Sequence, residues 1–147
     1  MPKTESVQLQ APAKVNLWLH ITGRRPNKLH ELYSLFAPIN LCDDITVSWG
    51  DAKTDKVTYE IDGKTIAIAD DTITKAITLF RHMMPQTPAL EIKVKKMIPM
   101  GGGLGGGSTD AASIIKFLNK QFGPMRPQMV QTIAVAAVAI AGTAVLL

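Results

Sequence analysis

Pro99-Met-Gly-Gly-Gly-Leu-Gly-Gly-Gly-Ser-Thr-Asp-Ala-Ala112 holds six of the chain's 11 glycines, Gly101 to Gly103 and Gly105 to Gly107. Before it, Leu90-Glu-Ile-Lys-Val-Lys95 alternates apolar and polar residues, the period of a half-buried strand. After it, Ala111, Ala112, Ile114, Ile115 and Leu118 recur at helical spacing, with Ser108, Thr109 and Asp110 as the helix-start residues. The glycines therefore join a strand to a helix N-terminus. Glycine costs conformational entropy on folding, so this density needs a reason. Close approach of backbone N–H groups to a ligand supplies one. A helix N-terminus with unbonded N–H groups and the positive end of its dipole favours an anion, phosphate above all.

At 147 residues the chain is one domain's worth, long enough to bury a core. Its composition, 46% hydrophobic and 19% charged, is that of a soluble globular protein. The net charge of +4 suits an anionic small molecule. Aromatics make up only 5%, too few for stacking platforms, so nucleic acid is not an expected partner. Cys42 is the one cysteine, which excludes an intramolecular disulfide and fits a reducing compartment. Met-Pro-Lys-Thr-Glu-Ser6 has no apolar segment of the secretory kind, which points to the cytosol. Residues 129–147 carry no charge. Nineteen such residues just reach bilayer thickness, but their many alanines and polar Gln131, Thr132 and Thr143 favour a buried helix followed by an unfinished strand.

Taken in order, Val7-Gln-Leu-Gln-Ala11 reads as a short strand stopped by Pro12. Residues 14–21 alternate, with Val15, Leu17, Leu19 and Ile21 on one face and Lys14, Asn16, Trp18 and His20 on the other. Arg24, Arg25 and Lys28 lie in a turn-rich loop. Residues 33–41 read as a strand, Cys42-Asp-Asp44 as a turn, and Ile45, Val47 and Trp49 as the next strand. Val57, Tyr59 and Ile61 precede the hairpin signal Asp62-Gly63. Asp70 and Asp71 cap a helix with core positions Ile73, Ala76, Ile77, Phe80 and Met84, ended by Pro85. Gly123-Pro124 closes the helix after the glycines. The layout is α+β.

A Walker-type loop requires a lysine after its last glycine, whereas Ser108 follows Gly107 directly. Gly101-x-Gly103-x-x-Gly106 matches a dinucleotide fingerprint formally, but six glycines meet that spacing by chance. No acidic residue follows Asp110 to hold a ribose. There remains a loop that offers its own amides and the helix-start hydroxyls, with the cation supplied from elsewhere.

The glycine stretch resembles the ATP-phosphate loop of the GHMP kinase superfamily. Pro12-Ala-Lys-Val-Asn-Leu-Trp-Leu-His-Ile-Thr-Gly-Arg-Arg-Pro26, and then His30-Glu-Leu32, resemble the N-terminal signature of the branch that phosphorylates a cytidine diphosphate-linked methylerythritol. The resemblance covers roughly residues 7–125 and implies the GHMP-kinase N-terminal domain, its C-terminal domain missing from this chain. It implies that Pro99, Met100, Gly101, Gly102, Gly103, Leu104, Gly105, Gly106, Gly107, Ser108 and Thr109 bind ATP. By the same resemblance Lys14 is catalytic beside the substrate hydroxyl, Asn16 positions substrate and His30 bonds the cytosine ring. Mg²⁺ accompanies ATP in this reading. Asp110 is expected to cap the helix start, with contact to the metal as the alternative. Bacterial cytoplasm or plastid stroma is the implied compartment.

Three departures bear on activity. Leu29 stands where the family has a tyrosine that stacks on cytosine, a loss on the order of 1 kcal/mol. Gly142-Thr-Ala-Val-Leu146 is the nearest counterpart of a segment carrying the family's general-base aspartate, so that position falls on Ala144. Loss of a general base costs about two to four orders of magnitude. The family is also nearly twice as long. The expectation is a kinase by descent, weak or inert as a chain of 147 residues. The alternatives are a non-catalytic nucleotide- or partner-binding fragment and a protein tethered to a membrane by residues 129–147.

Overall fold

A computed structural model describes residues 4–28 and 30–139. Among these residues five strands form one sheet: β1 (Glu5–Arg24), β2 (His30–Trp49), β3 (Lys56–Ile61), β4 (Lys64–Ile66) and β5 (Leu90–Lys95). With them the described residues form three helices, α1 (Thr72–Met83), α2 (Gly106–Phe122) and α3 (Pro127–Ala139), in an α+β architecture. The spatial order is β1-β2-β5-β3-β4. β5 runs antiparallel to β2 and parallel to β3, the return between β3 and β5 being made through β4 and α1.

One core joins the sheet to the helices. Leu90, Ile92 and Val94 of β5, with Ile45 and Val47 of β2, pack against Ile73, Ile77 and Phe80 of α1 and Ile114, Ile115 and Leu118 of α2. The helical periodicity of both segments is what places these residues on one stripe. Trp49, Phe117 and Phe122 close one end of this core with ring centroids 5.4 to 6.1 Å apart. Asp71 caps α1 by accepting from Thr74 N at 3.0 Å, and both Asp62 (φ 51°) and Gly63 (φ 75°) adopt the left-handed conformation that a two-residue hairpin turn requires. At the other end of α1, Asp55 pairs with the guanidinium of Arg81 and accepts from Leu90 N at 3.0 Å, which fixes the start of β5.

Several expectations are corrected. Pro12 does not stop a strand: β1 runs through it, paired with Cys42, with a register shift before Lys14. β1 lies at the sheet's edge, where a residue lacking an N–H costs no ladder bond on the open side. Cys42-Asp-Asp44 is not a turn but the middle of the 20-residue β2, because Asp43 finds buried partners there. The register shift between Asn16 and Trp18 interrupts the alternation of β1. Beyond it, β1 and β2 form a ribbon on which Leu17, Trp18, Leu19, Ile21, Tyr33 and Leu35 are exposed instead of half-buried. α2 begins at Gly106, so Ser108, Thr109 and Asp110 lie inside it. Met84 is the cap of α1 and only partly buried.

α3 agrees with a helix from residue 129, with Ile133 buried; the expected strand after it, and Ala144, lie outside the described residues. Among the described residues no helix is long and apolar enough to cross a membrane.

Candidate active site

The segment after β5 leaves the sheet at Lys96, turns through residues 99–105 and enters α2 at Gly106. Gly101, Gly103 and Gly105 have φ of 74°, 72° and 72°, so three of the six glycines occupy a region that other residues rarely adopt. Gly105 is also the N-cap of α2. It has no side chain, so no capping bond is made, and the first-turn N–H groups keep their donors for a ligand. α1 differs in this respect, since Asp71 closes its N-terminus. The two helix ends meet where Thr72 Oγ1 donates to Gly107 O at 3.0 Å.

Residues 99–107 wrap a cavity of about 240 Å³, lined also by Tyr59, Ile68, Asp70, Asp71, Thr72, Lys96 and Asp110. An open helix N-terminus and left-handed glycines are the cradle that a polyphosphate fits. Among the described residues no group of three or more histidine, cysteine or acidic side chains is placed to hold a metal ion.

Lys14 reaches this loop from β1. Its N donates to Leu104 O and its Nζ to Gly103 O, both at 3.0 Å, while Nζ also donates to Asn16 Oδ1 at 2.8 Å. The ring of Phe36 lies 5.1 Å from Nζ. Asn16 Nδ2 donates in turn to Ser34 Oγ at 3.0 Å, and that hydroxyl donates to Trp18 O at 2.9 Å. The chain Ser34–Asn16–Lys14 therefore aims the ammonium at the loop. An ammonium has three donors, and one has no hydrogen-bond partner among the described residues. No carboxylate of the described residues pairs with Lys14.

The loop residues, Lys14 and Asn16 are thus assembled together. His30 is not: it pairs with Arg24 near the tip of the ribbon, roughly 25 Å of strand from Pro38, the partner of Lys14. Leu29 lies outside the described residues. Of the loop cations, Arg25 is paired with Glu31 at 2.9 Å.

Asp110 does not cap the helix. It is buried, and Lys96 Nζ donates to its Oδ2 at 3.0 Å. Lys96 also pairs with Asp43, whose Oδ1 accepts from Met97 N at 2.6 Å and Ile98 N at 2.8 Å. Backbone and ammonium donors outweigh burial and hold the Asp43 carboxyl below its ordinary range. Burial works against the Lys96 ammonium, but its two carboxylates raise its pKa. Burial pushes Asp110 up to about 7, although Lys96 and the bond it donates oppose the rise. Tyr59 is raised, by burial first and then by donating to Asp71 Oδ1 at 2.8 Å. Asp43, Lys96 and Tyr59 are not evident as site residues in the sequence. Lys96 and Asp43 are 53 residues apart, and the one local sign was a lysine at the strand's exit.

The model of the GHMP kinases N terminal domain matches residues 71–145, from the cap of α1 through the loop and both later helices. A relative from Pseudoalteromonas translucida (strain TAC 125), 4-diphosphocytidyl-2-C-methyl-D-erythritol kinase, is 42% identical over 120 residues, covering 82% of this chain and 42% of the relative. A kinase of the same name from Psychromonas ingrahamii is 39% identical over 122 residues, 83% of this chain and 42% of that one. A crystal structure of 4-(cytidine 5'-diphospho)-2C-methyl-D-erythritol kinase superposes with a TM-score of 0.68 at 29% identity, over 92% of this chain and 49% of its own. Homoserine kinase from Cytophaga hutchinsonii, at 20% identity and a TM-score of 0.67, shares the fold. The chain spans less than half the length of these relatives.

Proposed function

The chain belongs to the GHMP kinases, and on that premise we propose that it forms the ATP side of a kinase acting on the 2-hydroxyl of 4-diphosphocytidyl-2-C-methyl-D-erythritol. The observation that carries this reading is the double hydrogen bond from Lys14, main chain and side chain, to the glycine loop. The loop amides and the N-terminus of α2 hold the phosphates, as an uncapped helix start does for anions. Lys14, aimed by Asn16, stands at the loop's edge. An ammonium there lowers the pKa of an acceptor hydroxyl and offsets charge that develops on the transferring group. In this reading Asn16 positions the substrate and His30, farther along the ribbon, bonds its cytosine ring. Mg²⁺ would arrive held by the nucleotide's own phosphates, as it commonly does. The proposed compartment is the cytoplasm.

The absence of a carboxylate paired with Lys14 among the described residues favours a second reading, nucleotide binding with little or no turnover by these 147 residues. Two measurements on the same sample separate the readings. Calorimetry with a non-hydrolysable ATP analogue reports binding, and ADP release in the presence of the cytidylyl substrate reports turnover. Binding with turnover supports the kinase reading, binding alone supports the second, and no binding contradicts both.

A further inference from the structure

The floor of the loop cavity is charged. Lys96 and Asp110 line it together with Gly106 and Gly107, and the Lys96 side chain is only 6% exposed. Its ammonium lies between Asp43 and Asp110, which are 0% and 1% exposed. The three groups connect β2, the exit of β5 and the second turn of α2, so they clamp both ends of the glycine loop. A Cβ on Gly106 would come within 3.1 Å of Lys96 Nζ, which shows how closely the helix start sits on this cluster. One atom is left over. Asp110 Oδ2 accepts from Lys96, but Oδ1 is buried with no hydrogen-bond partner. A buried polar atom without a partner carries a cost of roughly 1–3 kcal/mol. If all three groups were ionised, two carboxylates and one ammonium would place a net negative charge beneath a cradle built for an anion.

Resting on the nucleotide reading above, we propose that Asp110 accepts a proton when nucleotide binds and donates it as a hydrogen bond from Oδ1 to an acceptor of the ligand in the loop cavity. The proton comes from solvent, no covalent bond to the ligand forms, and the neutral acid leaves Lys96 paired with Asp43 alone. Protonation converts the orphan acceptor into a donor and removes the carboxylate's repulsion of phosphate. The groups that face Asp110 are Lys96, which opposes protonation, Asp43 from β2, which favours it by its charge and as an acceptor that the ligand must outcompete, and Tyr59 from β3, held neutral by burial and by its bond to Asp71 at the N-cap of α1. Burial raises the Asp110 carboxyl to about 7, so the proton is available near neutrality.

The test is calorimetry of the whole chain with a non-hydrolysable ATP analogue, in pairs of buffers of different ionisation enthalpy, between about pH 6 and 9. Wild type should take up more protons per bound nucleotide than Asp110→Asn, whose amide is a permanent donor. Above about pH 7 its affinity should fall by up to tenfold per pH unit relative to that of the variant. Equal proton uptake and equal pH slopes in the two proteins would overturn the proposal while leaving nucleotide binding intact. No binding by wild type would overturn the nucleotide reading and this proposal with it. Carbon-13 NMR of the wild-type aspartate carboxyls needs no variant to fold. One carboxyl titrating near neutrality and shifting upward on adding nucleotide is expected, and no such carboxyl contradicts the proposal. Inorganic tripolyphosphate and adenosine, titrated separately, identify the acceptor: the upward shift appears with the one that supplies it, and with neither if the proposal is wrong.

Discussion

Lys14 Nζ donates to the carbonyl of Gly103 at 3.0 Å, joining residues 89 positions apart. With the main-chain bond from Lys14 to Leu104, this contact fixes the glycine loop to the edge strand. A close approach makes it possible: a Cβ on Gly105 would lie 3.2 Å from Lys14 Cε, tighter than side chains normally pack. The loop's glycines thus serve two surfaces, the cavity on one side and the lysine stem on the other.

Replacing Lys14 by methionine keeps the stem and removes the ammonium. Loss of one charge-assisted bond to the loop should weaken binding of an ATP analogue by about tenfold. Stability should change by less than about 1 kcal/mol, because the side chain is only partly buried. Calorimetry and urea unfolding read the two effects separately.

Gly105→Ala and Gly107→Ala should differ in sign. Gly105 has φ of 72°, so alanine there is strained and meets Lys14; a loss of about 1–2 kcal/mol is expected, together with loss of nucleotide binding. Gly107 lies inside α2, and its Cβ would meet Thr72 Oγ1 at an ordinary 3.6 Å. Alanine there should stabilise by up to about 1 kcal/mol through helix propensity. Denaturant midpoints of the two variants test the contrast.

Lys96→Met should be the most damaging of these changes. It leaves Asp43 and Asp110 buried without a cation, a situation that costs about 3–5 kcal/mol. Adding Asp110→Asn to Lys96→Met should recover part of the loss, and a double-mutant cycle in urea measures how much.

The same cluster sets the pH dependence of stability. The Asp110 carboxyl is raised from 3.8 to about 7, so in this window the unfolded chain has released a proton that the folded chain keeps. Its contribution is full below about pH 4 and is lost as pH rises through about 7. Asp43, whose pKa is lowered, contributes in the opposite sense: its share is present above 3.8 and lost as pH falls through the depressed value. The stability of Asp110→Asn minus that of wild type should therefore grow between about pH 4 and 7 and then level off. A urea series across that range checks the slope.

Local signals in the sequence account for much of this fold. The alternation of residues 90–95 is β5, Asp62-Gly63 is the hairpin, Asp71 is a cap, and the apolar stripes of α1 and α2 face the core. The misread places depend on distant partners. Pro12 and Cys42-Asp-Asp44 carry local turn chemistry, yet edge position admits the proline, and Lys96, Met97 N and Ile98 N give Asp43 a buried role in a strand. The start of α2 was misplaced because a left-handed glycine cap leaves no side-chain signature. The loop is legible from composition; the resemblance implies that Lys14 lies beside the substrate hydroxyl, but its bonds to the loop, across 89 positions, have no sign in the sequence. The charged floor beneath it joins Asp43, Lys96 and Asp110 through packing of separate elements, which no local pattern encodes.

That the glycine loop is a nucleotide-phosphate site is the claim on which the rest depends, and titration of the chain with a non-hydrolysable ATP analogue tests it most directly. Saturable one-to-one binding that Gly105→Ala abolishes and Gly107→Ala leaves measurable is the predicted result. No heat of binding at millimolar analogue, or binding that Gly105→Ala does not alter, would contradict it.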